Sequence, residues 1–427
     1  MDHFTYQDHV LHCENVPVTE LAQAYGTPLY VYSKATLLHH LSELQNAFAE
    51  VDPIICFSVK TNANIHICKL MAERGAGFDV TSGGELYRAL QAGSSGDKLV
   101  FAGVGKTDEE MRYGLENNVF LFNVESEAEL VRLAGVAKQV GRPAPVALRV
   151  NPDLPPKTHV KTDTSVKGVK FGLDIDSVLE FAQKMVGNPD VNIVGLHMHL
   201  GSPILSAQPY QEGIEKGAVL IQKLREQGHS IVYINMGGGF GIHYRKQEAL
   251  PASEFARAIV PKVKEMGCKL VLEPGRFIAG NAGILLSKVI FTKESGGKQF
   301  LIQDAAMNDL IRPTLYDAFH RIWPATPGLD FPAPPEDYEV PIPGTEMYDV
   351  VGPVCESGDF LAKDRYLPPL KRDELLATFS AGAYGFVMSS NYNSRVRPAE
   401  VLVDGKAHHL IRRRETYHDL VQLELDV

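Results

Sequence analysis

Four short stretches of the chain carry residues that could do chemistry together. Phe57-Ser-Val-Lys60 closes an apolar run with a lysine. Burying an ammonium is costly, so such a lysine is either a surface residue at a loop start or a desolvated amine kept as a nucleophile for a carbonyl group. His197-Met-His199-Leu-Gly-Ser202 spaces two imidazoles by two, which puts both on one face of a strand. An H-x-H pair also occurs in metal sites, but no third ligand with suitable spacing lies nearby and no metal is expected. Gly237-Gly-Gly-Phe-Gly241 is either a flexible turn or a backbone bare enough to bring N–H groups up to a phosphate. Glu273-Pro-Gly-Arg276 holds an acid and a guanidinium apart across a stiff Pro-Gly pair, as an ion pair or as two groups addressing two charges. Asp79 and Arg149 stand in two further apolar runs.

Something must bring these stretches together. Eight short apolar segments read as strands: Ile54–Ser58, Gly77–Thr81, Lys98–Ala102, Val119–Asn123, Val146–Val150, Ile193–Met198, Ile231–Asn235 and Lys269–Glu273. Amphipathic helical stretches separate them, two opening with the capping-box spacing Thr107-x-x-Glu110 and Ser126-x-x-Glu129. Apolar strands alternating with helices mean a parallel sheet covered by helices, and eight such units favour a closed (β/α)8 barrel over an open doubly wound sheet. Barrel enzymes work at the C-terminal ends of the strands, where Lys60, His199, the glycine run and Glu273 all fall.

Past residue 280 this rhythm stops. A proline-rich segment, 324–344, reads as surface loop, and Ala399–Val403 with Ala407–Ile411 flanks a hairpin signal at Asp404-Gly405. The expected organisation is an N-terminal segment, 1–33, packing with a β domain, a barrel over 34–280, and a mainly β C-terminal domain over 281–427. The whole is an α/β fold.

Composition narrows the function. The 427 residues are 44% apolar and 22% charged, an ordinary globular balance. A net charge of −10 disfavours nucleic acid and anionic membranes as partners. No apolar run approaches the roughly 18 residues of a membrane span, and the N-terminus does not resemble a secretory signal. Five scattered cysteines form neither a disulfide framework nor a C-x-x-C site, so reduced thiols in a cytoplasm are expected.

One lysine, one glycine loop, one acid and one flat imidazole at a single barrel face make the parts list for pyridoxal 5′-phosphate. Lysine condenses with its aldehyde, the loop holds its phosphate, the acid protonates its ring nitrogen and the imidazole packs on its face. These motifs resemble those of the fold-type III pyridoxal-phosphate decarboxylases, shared with the ornithine and arginine decarboxylases. Over nearly the whole chain, from Tyr25-Gly-Thr-Pro28 to Arg412-Arg-Arg-Glu-Thr416, the sequence is most similar to the diaminopimelate branch. The second domain carries that likeness in Arg312-Pro-Thr-Leu-Tyr316, Val354-Cys-Glu-Ser-Gly-Asp359 and Gly382-Ala-Tyr-Gly385.

The resemblance implies that Lys60 carries the cofactor, His199 stacks on it and Glu273 meets its ring nitrogen. It implies further cofactor contacts from Asp79, Arg149, Ser202, Gly238, Gly239, Gly275, Arg276 and Tyr384. It makes Cys355 a proton donor reaching the site from the partner of a homodimer, with catalysis resting on Lys60, Cys355 and His199. The implied reaction converts meso-2,6-diaminopimelate to L-lysine and CO2. The residues agree with that substrate: Arg276, Arg312 and the Tyr316 hydroxyl suit a distal carboxylate, and Glu356 suits a distal ammonium, with Tyr384 a further substrate contact implied by the resemblance. A decarboxylase of ornithine, lysine or arginine on the same scaffold is the alternative, and it needs no arginine for a distal carboxylate. A racemase would put arginine where Glu273 stands. The segment 159–172 departs from the family's usual wording, the proline-rich segment belongs to no motif, and Arg412–Arg414 reads as a solvated face.

Overall fold

The computed structural model describes residues 2–153, 170–245, 249–331, 341–425 and 427. The chain forms two compact units. One comprises His40–Ile242 and Ala249–Phe277; the other comprises Met1–His39, His243–Glu248 and Ile278–Val427.

The first unit is a closed barrel of eight parallel strands: Ile54–Ser58, Gly77–Val80, Leu99–Phe101, Leu121–Val124, Ala144–Asn151, Val191–His197, Tyr233–Asn235 and Lys269–Leu272. Each pairs with the next, and Val271 and Leu272 of the eighth pair with Ile54 and Ile55 of the first, closing the ring. Cys56, Val100, Leu121, Ala147 and Val271 come from five different strands yet form one fully buried cluster. Side chains from so many strands meet only inside the ring, so the barrel is a packed core rather than a pore. Each large apolar side chain buried this way contributes about 1.5–3 kcal/mol.

Helices follow the strands, and their starts are set by side chains. Thr107 makes a full reciprocal box with Glu110. The second expected box differs. Ser126 accepts the Glu129 N–H, but the Glu129 carboxylate reaches one residue further back, to the Glu125 N–H at 2.8 Å. Ser82 and Glu85 repeat that shifted pattern, Glu85 accepting from the Thr81 N–H at 2.7 Å. In both places the glutamate fixes the residue at the strand end, next to the catalytic face of the barrel.

The second unit is mainly β. Its central strand, Gly283–Ser295, pairs antiparallel with Leu29–Ser33, Leu375–Thr378 and Lys298–Gln303. Leu29–Ser33 lies between that strand and Ala399–Asp404, which it meets in parallel, so the N-terminal segment supplies an interior strand of this sheet. The hairpin Ala399–Asp404/Ala407–Arg412 turns through Gly405 and Lys406. The proline-rich segment does not begin as loop: Ile322–Pro324 is a strand that, among the described residues, pairs on one side only, to Leu375–Thr378. A proline is tolerated there because an edge leaves its missing N–H unneeded. Residues 332–340 of that segment and 159–169 of the 159–172 segment lie outside the described residues. Arg414 is not solvated: its guanidinium donates to the Pro28 carbonyl at 2.6 Å, while Arg413 pairs with Asp419. No helix among the described residues is long and apolar enough to cross a membrane.

Candidate active site

Lys60 sits in a short 3-10 turn, Val59–Thr61, that caps the first barrel strand. Its Nζ lies 2.6 Å from Asp79 Oδ2 at the end of the second strand, and its side chain is 39% exposed, so the amine is held yet reachable. Ser58 Oγ donates to the same Asp79 oxygen at 2.6 Å. Burial pushes the Asp79 carboxyl up, assisted by the charge of Glu273 and opposed by Lys60.

Glu273 follows the eighth strand and is buried. Its Oε1 accepts from Asn235 Nδ2 at 2.6 Å and from Asn123 Nδ2 at 2.8 Å. Its Oε2 is 3.4 Å from His197 Nε2. Burial alone would raise this carboxyl, but His197, Lys60 and the Asn235 amide outweigh it and hold it well below the usual carboxylate range. His199 is also pushed down, here by burial first and then by the charges of Arg149 and Lys60, so its imidazole is neutral. His197 ends the sixth strand and His199 lies two residues past it, so the expected shared strand face is not formed; His197 stands against Glu273 and His199 is uncharged.

The glycine run is packed against neighbouring backbone. A Cβ on Gly238 would stand 2.2 Å from the Glu273 carbonyl, and one on Gly239 would stand 2.4 Å from the Gly201 carbonyl. Gly239 also has φ +97°, a region closed to most side chains. Both carbonyls are engaged, Gly238 O by Tyr210 Oη at 2.6 Å and Gly239 O by the Ile204 N–H at 2.8 Å. Their N–H groups have no acceptor among the described residues. Arg276 Nε donates to Ser202 Oγ at 3.2 Å, tying the ends of the sixth and eighth strands. Gly275 packs on Thr61 where a Cβ would come within 2.0 Å of Oγ1. Arg149 is committed to Glu125 at 2.9 Å and lies 4.8 Å from the centre of the Phe171 ring.

In the β unit, Arg312 is buried. Its Nε faces His320 Nε2 at 3.3 Å, and its Nη2 faces Tyr244 Oη at 3.4 Å. His320 Nδ1 is 2.9 Å from the Phe379 carbonyl, which makes Nδ1 the protonated nitrogen and Nε2 the acceptor. The Tyr384 ring lies 6.0 Å from the Arg312 guanidinium, and Tyr384 itself has φ +56°. Tyr316 closes the short helix Arg312–Tyr316. Cys355 is the exposed cysteine; the other four are buried. Its N–H donates to Asn393 Oδ1 at 2.8 Å, and the neighbouring Glu356 carboxylate pushes the Tyr392 phenol up. Asp359 fastens this segment, its two oxygens accepting the Met307 N–H at 2.7 Å and the Val354 N–H at 2.8 Å.

Residues 34–280 match the model of the pyridoxal-dependent decarboxylase, pyridoxal binding domain. A diaminopimelate decarboxylase of Aquifex aeolicus is 44% identical over 99% of this chain and 97% of its own length. The chain belongs to the diaminopimelate decarboxylase family. The crystal structure of the M. jannaschii diaminopimelate decarboxylase in complex with L-lysine is 36% identical, with a TM-score of 0.91 over 99% of this chain and 98% of that one. The Helicobacter pylori diaminopimelate decarboxylase, also complexed with L-lysine, is 34% identical, with a TM-score of 0.90 over 96% and 99%.

The barrel residues fit pyridoxal 5′-phosphate. Lys60 offers a reachable amine, two glycine N–H groups await an acceptor, and a buried carboxylate is kept ionised. Asp79 Oδ1, buried without a partner among the described residues, marks further unmet polarity beside the amine.

Asn123 and Asn235 escaped the sequence reading, although each ends an apolar strand as a polar residue, the same signal that singled out Lys60. Glu125, His320, Tyr244, Tyr392 and Asn393 carried no signal of their own, because their importance lies in the partner each one meets.

Proposed function

We propose that the chain decarboxylates meso-2,6-diaminopimelate to L-lysine and CO2, the last step of bacterial-type lysine biosynthesis, in the cytoplasm and as a homodimer. The observation that carries the substrate reading is the pairing of opposite signs in the β unit. A buried guanidinium, Arg312, is set by His320 and Tyr244, and an exposed carboxylate, Glu356, follows Cys355 in the same unit. A distal amino-acid group needs both, whereas a distal amine alone needs only the acid.

Pyridoxal 5′-phosphate, when bound, supplies an aldehyde for the substrate amine and a ring that takes up the electron pair left as CO2 departs. Lys60 would hold the aldehyde through its amine, which Asp79 positions at 2.6 Å. His199, kept neutral, packs against the ring face. Glu273, kept ionised, holds a proton at the ring nitrogen. Ser202, Gly238, Gly239, Gly275, Arg276 and Tyr384 surround the phosphate, and Arg149, held by Glu125, completes the cofactor side. Arg276, Arg312, Tyr316 and Tyr384 orient the substrate's carboxylate and Glu356 its distal ammonium. The partner subunit's Cys355 delivers a proton to the carbon that lost the carboxylate. Residues 34–280 act as the cofactor-binding domain, 1–33 pack with the β domain, and 281–427 supply the substrate-specificity residues.

The test is product detection with the loaded enzyme on separate stereoisomers of diaminopimelate, ornithine, lysine and arginine. One lysine and one CO2 per molecule of the meso isomer supports the assignment. Preferred release of diamines from ornithine, lysine or arginine contradicts it.

A further inference from the structure

Glu273 is gripped unequally. Both amide donors converge on Oε1, at 2.6 Å from Asn235 and 2.8 Å from Asn123. Among the described residues Oε2 receives no amide, and it faces His197 at 3.4 Å. Asn235 and Asn123 are fully buried, so water cannot stand in for either.

The orientation of Asn235 is not a free choice. Its Oδ1 accepts the Gly237 N–H at 2.9 Å, and a backbone N–H can only donate. The amide oxygen is therefore committed to the glycine loop, and the NH2 group must point at Glu273. A proton on Oε1 would face this obligatory donor with nothing to receive it. Asn123 has no such tether on its oxygen and could turn over to accept a proton; Asn235 cannot without losing Gly237.

We infer that Asn235, supported by Asn123, is a positioning residue that confines any proton on Glu273 to Oε2 and keeps the carboxylate charged. One side chain thereby links the glycine loop, which addresses the phosphate, to the acid, which addresses the ring. The inference deepens the assignment of Glu273 to the cofactor's ring nitrogen and rests on it.

Asn235→Asp separates the possibilities. The new side chain retains an oxygen for the Gly237 N–H but sets a second carboxylate against Glu273. Two such groups at hydrogen-bond distance share a proton. The variant is expected to bind pyridoxal 5′-phosphate within about threefold of wild type. The visible band of the bound cofactor should be displaced and should titrate at least one pH unit away from wild type. The kcat should fall on the order of tenfold or more, while KM for diaminopimelate stays within about threefold. Asn123→Ala leaves Gly237 untouched and should show a smaller change of the same sign; it carries the test if Asn235→Asp does not fold. Glu273→Gln serves as the reference. If it displaces the band and lowers kcat while both asparagine variants behave as wild type, the clamp is refuted and the role of Glu273 stands. If Glu273→Gln itself changes neither, the role of Glu273 falls, and the clamp with it.

Discussion

Lys60 Nζ rests 2.6 Å from Asp79 Oδ2, pairing a partly exposed amine with a carboxylate that has no exposure at all. The lysine can leave, but the aspartate cannot follow it into water. Burial already pushes the Asp79 carboxyl up, and Lys60 is the chief group restraining it. Lys60→Met removes that restraint, and the native-state value rises further. For a group raised on folding, stability is fully present below its unfolded value and lost as pH rises through its folded one. Stability of the cofactor-free variant should therefore fall more steeply than wild type between pH 5 and 8. The solvent that reaches Lys60 reduces the excess loss. Urea midpoints at the two pH values measure it, and parallel wild-type and variant curves would contradict it.

Asp309 offers a second pH test away from the site. Burial pushes its carboxyl up to about 7, against the Ala306 N–H that donates to it at 2.9 Å. Its contribution to stability is present below about pH 4 and is lost as pH approaches 7. Asp309→Asn retains an acceptor for Ala306 and cannot ionise. Relative to wild type, the variant should gain a few kcal/mol of stability on going from pH 5 to pH 8. A constant difference across that range would show that Asp309 does not titrate there.

Much of this architecture was readable before any coordinates. The alternation of apolar strands with helices specified the barrel, because a strand buried on both faces must be apolar throughout. Lys60, His199 and Glu273 stood out because a polar residue closing such a strand faces the working end of a barrel. The same rule applied to Asn123 and Asn235, but an amide carries no charge and drew no attention. Glu129 had the spacing of a capping box, yet its carboxylate bonds the Glu125 N–H, one residue beyond the expected partner. Spacing fixes which helix turn a side chain is on, not which of two adjacent N–H groups it reaches. The setting of Arg312 by His320 and Tyr244 was out of reach, since nothing local relates residues 244, 312 and 320.

Cys355 differs from the other cysteines in being exposed, on a segment tied down by Asp359 and Asn393. If it delivers a proton after CO2 loss, Cys355→Ala should lower kcat by roughly 10²–10⁴-fold, the usual range for general acid catalysis. The cofactor spectrum and its dissociation constant should stay unchanged. Loss of cofactor in this variant would remove Cys355 from the role.

Arg312→Lys keeps the charge but loses the planar fork. KM for diaminopimelate should rise on the order of tenfold, with a smaller effect on kcat. Glu356→Gln should also raise KM. Steady-state kinetics decides the matter. Unchanged KM in Arg312→Lys and Glu356→Gln would take both residues out of substrate recognition.

The most direct measurement is to reduce the cofactor-loaded protein with borohydride, digest it and locate the pyridoxyl mass tag. The account predicts a single tag on the peptide containing Lys60, and none in Lys60→Ala. A tag on another lysine, or no tag in protein that decarboxylates diaminopimelate, would contradict it.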